Sequence, residues 1–247
     1  MTRWKAAAIH LSISAAIGLF SALLIFFVWY PSPYGQALGA QQLVLLLLGV
    51  DVILGPLLTL VVFKSGKKSL RFDLAIIALL QVCAFSYGMS VVVRARPAFV
   101  VSVVDQFVLV GANDLDPADL AQGSKPAFQY VPWNGPMIVG SQIPTEFQAH
   151  TDLLFSGLAG KDIEKFPKLY VDYAGAAPGV LAHAKSLDEL IGKHPPVQPV
   201  VDEWLTAHHR EATSISWVPL KTRRVFMTML LDSTSGQPID ALPIDPW

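Results

Sequence analysis

Three long apolar runs crowd the first ninety-odd residues, and they constrain the fold more than any other feature of the chain. The first, Ala6 to Trp29, contains no charged residue. At about 24 residues it is long enough to cross a hydrocarbon core of roughly 30 Å. The second, Leu43 to Phe63, is interrupted only by Asp51, and the third, Leu74 to Val93, is uncharged. Backbone groups inside a bilayer must bond to one another, so these spans are helices; three strands cannot close a barrel. The expected fold is a membrane protein with three N-terminal transmembrane α-helices at about 6–29, 43–63 and 74–93. Together they form an anchor over residues 1–96, followed by an extracytoplasmic α+β domain over 97–247. A cleaved signal peptide competes for the first run, with small residues near Ala37 and Ala40 imitating a cleavage site, but its apolar core would be only about 7–15 residues long.

Charge divides the chain at the same place. Residues 1–96 hold two acids, Asp51 and Asp73, against eight Lys and Arg, while residues 97–247 hold seventeen acids against ten. The overall charge of −1 therefore hides a basic region suited to anionic lipid head groups and an acidic one that repels nucleic acid. Orientation follows from the short loops. Placing the N-terminus and the 64–73 loop in the cytoplasm puts Arg3, Lys5, Lys64, Lys67, Lys68 and Arg71 there; the reverse puts only Arg94 and Arg96 there. The positive-inside rule then gives a multi-pass protein with a cytoplasmic N-terminus and a periplasmic C-terminal domain. Trp29, Tyr30 and Tyr34 fit a membrane–water interface. Cys83 is the lone cysteine, so no intrachain disulfide and no cysteine zinc site can form.

The second region has the pattern of one α+β domain. Phe99 to Val110 is one long strand or two joined at Asp105 and Gln106, the aspartate suggesting an edge or a bulge. A short helix follows Asp116. Gln129 to Trp133 is a further short strand. Thr145 to Leu158 has helical spacing, with Phe147, Leu154, Phe155 and Leu158 as core positions. Leu187 to Ile191 and Val200 to His208 are helices. Trp217 to Leu220 and Val225 to Leu231 are strands, and Ser235-Gly236 turns the chain into Pro238 to Leu242.

Signatures of catalysis are missing. The histidines His150, His183, His194, His208 and His209 lack zinc-hydrolase spacing, and adjacent residues such as His208 and His209 do not share a helix face. Gly157 to Lys161 is too short for a phosphate loop and suits a helix C-terminus instead. No G-x-S-x-G elbow occurs. Asp188-Glu189 and Asp202-Glu203 fall on solvated helix faces. These observations predict a non-enzyme without catalytic residues, bound metal or cofactor.

Asp51 stands apart, because an ionisable residue inside a span is costly and marks function by default. Gly55 and Pro56 lie close by and should bend the second span, which neighbouring helices must then satisfy. Asp51, Gly55 and Pro56 are thus the intramembrane candidates for either function or packing. As a packing element Asp51 is a neutral, hydrogen-bonded carboxyl facing the bundle interior; as a functional one it receives a partner's membrane helix. Counted from Leu43, it lies roughly 12 Å deep, level with Ser21 on the first span and with Ser86 and Tyr87 on the third.

The stretch GVDVILGPLLTLVVFKSGKKSLRFDL, Gly49 to Leu74, resembles the most recognisable segment of the TfpX/TfpZ family of type IV pilin accessory proteins. Other pieces fall in the same order: Trp29-Tyr30-Pro31 after the first span, Arg96-Pro97 leading into a Val/Phe strand that ends near Asp105, and a terminal hairpin from Leu231-Asp232 through Thr234 and Gly236 to Pro246-Trp247. The resemblance covers the first 110 residues well and the last 30 moderately; residues 112–215 add no motif. Gln106 departs from the basic residue that often follows the strand aspartate in that family. The resemblance implies a bacterial inner-membrane accessory, chaperone-like factor that supports stability or assembly of a cognate type IV pilin. Its partners would be that pilin, other pilus assembly components and membrane lipids, with no nucleic acid. The competing class is a membrane-anchored envelope enzyme or ligand-binding module with its site in the periplasmic domain.

Overall fold

A computed structural model describes residues 2–247 and resolves into two compact units, one ending at Arg96 and the other spanning Pro97–Trp247. In the first, three helices are long and apolar enough to cross a membrane: Arg3–Trp29, Ala40–Val62 and Leu70–Ala95, of 27, 23 and 26 residues. Each extends past its apolar run, because backbone hydrogen bonding continues until a cap ends it. Thr2 supplies that cap for the first helix, its hydroxyl accepting from the Lys5 N–H at 3.3 Å.

Contact between the three helices is built on small residues. A Cβ on Gly18 would lie 2.8 Å from Leu48 Cδ2, and one on Gly88 would lie 2.5 Å from Leu47 Cδ1. A leucine on the second span therefore sits in a glycine notch on each neighbour, the packing that lipid-embedded helices rely on in place of a hydrophobic driving force. Large apolar side chains point outward instead: Phe27, Leu45, Leu46 and Val61 are each more than 70% exposed. Trp29 and Tyr30 lie at the C-terminal end of the first span. Both are buried in a cluster with Val44, Leu47 and Val92, and Tyr30 Oη donates to the Val92 carbonyl at 2.8 Å. The short helix Tyr34–Ala37 closes over them, with Gly35 so near that a Cβ would lie 2.7 Å from the Tyr30 carbonyl oxygen.

The second unit is built on a mixed eight-stranded sheet. Its strands are β1 (Pro97–Val103), β2 (Gln106–Gly111), β3 (Met137–Ser141), β4 (Tyr170–Asp172), β5 (Lys185–Ser186), β6 (Ile215–Lys221), β7 (Phe226–Asp232) and β8 (Pro238–Leu242). The order is β4-β3-β1-β2-β6-β7-β8, with β5 also paired to β6. β1–β3 and β2–β6 are parallel and the remaining pairs antiparallel. The central strands are apolar along their length because both faces are covered. On one face lie two clusters, one around Phe99, Val101, Val110 and Tyr170, the other around Trp217, Leu230, Leu190 and Trp204. On the other face the helix Tyr173–His183 packs against the sheet. Tyr173 lies 5.6 Å from Phe107 between ring centroids, and Gly140 of β3 admits Ala176, whose Cβ would be 2.5 Å from a Cβ there. Tyr173 Oη donates to the Gly236 carbonyl at 2.5 Å, and burial pushes this phenol up to about 12. Trp217 and Trp204 each satisfy the indole N–H, on the Ser186 carbonyl at 2.9 Å and on Asp240 Oδ2 at 2.8 Å.

Three expectations about this unit need correction. Asp105 marks neither an edge nor a bulge: with Val104 it forms the two-residue turn joining β1 and β2, two central strands, in which Val103 pairs with Gln106. Gln129 to Trp133 is not a strand; β3 begins further on, at Met137. The helix at Phe147–Leu158 exists, but none of its residues is buried. Phe147, Leu154, Phe155 and Leu158 face outward at 83, 59, 66 and 85% exposure, while its half-buried positions are mainly small ones such as Ala149, Ser156 and Gly157.

Candidate functional site

The second span is not a uniform α-helix. Between Ala40–Leu48 and Gly55–Val62 lies a π-helical segment, Gly49–Leu54, with Asp51 in it. Such segments are rare and recur at functional sites. Local sequence accounts for it. In the i→i+5 register the partner of the Asp51 carbonyl is residue 56, a proline with no N–H to donate. The third span supplies the missing donor: Gln81 Nε2 bonds the Asp51 carbonyl at 3.2 Å. Gln81 can approach because residue 55 is glycine; a Cβ there would collide with the Gln81 amide. Asp51, Gly55, Pro56 and Gln81 therefore form one arrangement, in which the proline creates a need, the glycine opens a path and the glutamine fills it.

Asp51 also borders a cavity of about 240 Å³ among the three spans, lined by His10, Ser14 and Gly18 from the first, Leu48 from the second, and Gln81 and Phe85 from the third. Its walls are mostly apolar. The Oδ1 atom of Asp51 is buried and meets no hydrogen-bond partner among the described residues. His10, which also lines the cavity, has its Nδ1 2.6 Å from the hydroxyl of Thr59, which is itself buried. A buried oxygen without a donor is costly, so the cavity is chemically suited to a group that brings one donor on an otherwise apolar frame.

The hydroxyls expected beside Asp51 are elsewhere. Ser21 bonds back to the Ile17 carbonyl at 2.8 Å, and Tyr87 is 71% exposed. The expected depth was counted from Leu43, whereas the helix begins at Ala40. Asp51 is eleven residues after Ala40, and the residue eleven before Trp29 is Gly18, which lines the cavity. His10, Ser14 and Gln81 were missed; the available signal was that they are polar residues inside otherwise apolar runs.

In the outer unit a polar cleft of about 310 Å³ is lined in part by Asp114, Glu164, Lys165, Lys221, Thr222 and Arg223. Arg223 is ion-paired with Asp114. The Thr222 hydroxyl bonds the Val225 carbonyl at 2.6 Å. Burial pushes the Glu164 carboxyl up. The cleft thus holds an ion pair and a turn hydroxyl rather than a nucleophile beside its base. Gly160 has φ +86° and ends the helix Phe147–Leu158, with Lys161 N–H bonded to the Ser156 carbonyl at 2.9 Å, a helix C-terminus and not a phosphate loop. His208 stacks on Trp204 at 4.3 Å. Among the described residues no group of three or more His, Cys, Asp or Glu is placed to hold a metal ion.

Three membrane-length helices joined to an α+β unit define a membrane-associated protein of two parts, with a carboxyl in the irregular part of its second span. Relatives give this class a family. Residues 1–39 match the family described as Fimbrial assembly protein FimB. The chain is 29% identical over 246 residues to the fimbrial assembly protein of serogroup I from Dichelobacter nodosus, covering 98% of this chain and 95% of that one. It is 32% identical over 191 residues to the serogroup E1 protein of the same organism, covering 76% and 74%. It is 38% identical over 113 residues to the protein of serogroups C1 and C2, covering 45% and 86%. The chain belongs to the fimbrial assembly protein family. No solved structure matches it.

Proposed function

We propose that this chain is an inner-membrane accessory factor of the TfpX/TfpZ kind, which supports the stability or assembly of a cognate type IV pilin. The observation that carries this reading is similarity along nearly the whole chain to a fimbrial assembly protein, so the anchor and the outer domain share one task. Three relatives from one organism are distinguished by serogroup, which supports pairing of each factor with its own variable surface subunit. The acidic domain lies on the periplasmic side, as the loop charges imply. Asp51, Gly55 and Pro56 form the working part of the anchor, where a donor-bearing apolar segment of the pilin meets the unpartnered Asp51 oxygen. The chain acts by holding a subunit, not by catalysis. Deleting the gene should lower surface piliation or pilin abundance without slowing growth, and complementation should depend on the cognate pilin. Normal piliation and twitching in the deletion strain would refute the accessory role.

A further inference from the structure

The first and third spans both pack on the second, and the cavity beside Asp51 opens between them. Ile13, Ile17 and Val82 line it and are 56, 49 and 63% exposed, so its mouth faces lipid. A volume of about 240 Å³ is ample for one aromatic ring, since an apolar cavity of roughly 150 Å³ admits benzene. Ile13, Ile17, Leu48 and Phe85 suit such a ring, and the buried Asp51 Oδ1, which lacks a partner, calls for one donor. A ring that carries one hydroxyl is a phenol.

The anchor carries a phenol on its outer side. Tyr87 of the third span is 71% exposed. Its carbonyl accepts from Ser90 Oγ at 2.7 Å, while its hydroxyl meets no partner among the described residues. A hydroxyl in hydrocarbon without a partner is costly. Depth sets Tyr87 apart from an interfacial aromatic belt. It lies eight residues before the helix end at Ala95, roughly 12 Å in, and Cα–Cβ bonds lean toward the helix N-terminus, away from that end. The same lean brings the ring to the level of Asp51. Gly88 faces Leu47 and Gly55 faces Gln81. Asp51, midway between Leu47 and Gly55, is therefore level with Ala84 and Phe85, less than one turn below Tyr87.

Tyr87 cannot enter the groove of its own chain, because it lies roughly 200° around the third span from Phe85, which lines the cavity. A second copy in the same bilayer presents it at the same depth. A lipid chain would fill the groove but brings no donor. We infer that the anchors associate head-to-tail, the Tyr87 hydroxyl of one copy donating to the Asp51 carboxyl of the next, a heterologous contact that builds rings or rows. This association needs no pilin, so it stands or falls apart from the accessory reading; a pilin segment entering the same groove displaces it.

The test uses the full chain in membranes of cells that lack the pilin, with Ile17→Cys on the lip of the groove. Gly18 faces Leu48 and Val52, so position 17 is level with Asp51. The second thiol is the native Cys83, which is exposed and lies one turn from Tyr87 on the same face. Oxidation with copper phenanthroline should give disulfide-linked dimers and longer species, which Cys83→Ser should abolish. Tyr87→Phe, which removes only the hydroxyl, should lower their yield at least fivefold at unchanged abundance. Ile13→Cys, one turn along the same lip, repeats the test if Ile17→Cys fails to accumulate. No adduct from either position, an equal adduct from the wild-type chain, or an adduct that Tyr87→Phe leaves unchanged overturns the inference.

Discussion

The two units solve the same problem in opposite solvents. In the anchor, large apolar side chains point outward and glycines line the contacts, so Leu47 and Leu48 fit notches at Gly88 and Gly18. In the outer domain, Phe99, Trp217 and Leu230 are buried and lysines and carboxylates face out. Each unit also keeps an element that breaks its own rule. The anchor buries an oxygen of Asp51 without a partner, and the outer domain exposes the Phe/Leu stripe of Phe147–Leu158. A polar group in an apolar interior and an apolar face at a polar surface are the same kind of departure, the kind found at functional or strained sites.

The contrast breaks outright if the two units do not lie in different environments. Reporter fusions after Gln36 and after Val110 should be active only with an extracytoplasmic reporter, and a fusion at Gly66 only with a cytoplasmic one. This effect is all or none, and reversed activity at Gly66 would defeat the three-span topology.

A smaller effect tests whether the anchor depends on close approach rather than on hydrophobicity. Gly55→Ala adds apolar surface, which would be harmless in lipid, but its Cβ displaces the Gln81 amide and strands the Asp51 carbonyl. The variant should lower the protein's steady-state level severalfold, and Gln81→Ala should partly restore it by making room. Asp51→Asn, which keeps a hydrogen-bonding group, should leave the level unchanged; if it also abolishes pilin co-purification, Asp51 is the receiving group and not only a packing one. Asp51→Leu with unchanged level, co-purification and piliation would remove both roles.

How far each unit could be read from sequence follows from the same contrast. The spans were visible because lipid demands apolarity at nearly every position, and β1, β2, β6 and β7 because strands covered on both faces are rich in Val, Phe, Met and Leu. The helix Tyr173–His183 was invisible: Gly175, Pro178 and Gly179 have the character of breakers, yet small residues let it lie close on the sheet. β3 was overlooked because it is short and contains Gly140, a strand breaker by propensity that is needed where Ala176 approaches. β4 and β5 have three and two residues, too few to carry a pattern. At the intramembrane site Asp51, Gly55 and Pro56 stood out as exceptions in an apolar run. Gln81 did not, because its role depends on a π-helical register that only the folded second span reveals. Spacing in Thr145 to Leu158 correctly gave a helix but could not say which side faces the domain.

The smallest effect lies in the outer domain, where one turn residue is in the wrong conformation for its type. Val104 has φ +52°, in the left-handed region that β-branched residues avoid. It occupies the first position of the two-residue loop between Val103 and Gln106, where a type II′ turn favours glycine. Its side chain is 53% exposed, so removing it sacrifices little burial. Relief of the left-handed strain is worth about 1–2 kcal/mol, and the extra freedom of glycine in the unfolded chain takes back about 0.5–1 kcal/mol. Residues 97–247 expressed alone should melt cooperatively, because the sheet and both of its covered faces lie within them. In that domain Val104→Gly should raise the midpoint by roughly 2–4 °C for each kcal/mol gained. Asp105→Gly, at a neighbouring position without a positive φ, is the control and should lower it. Equal losses from the two substitutions would show that the hairpin carries no strain at Val104, and that neither unit departs from its rule at the level of a single turn.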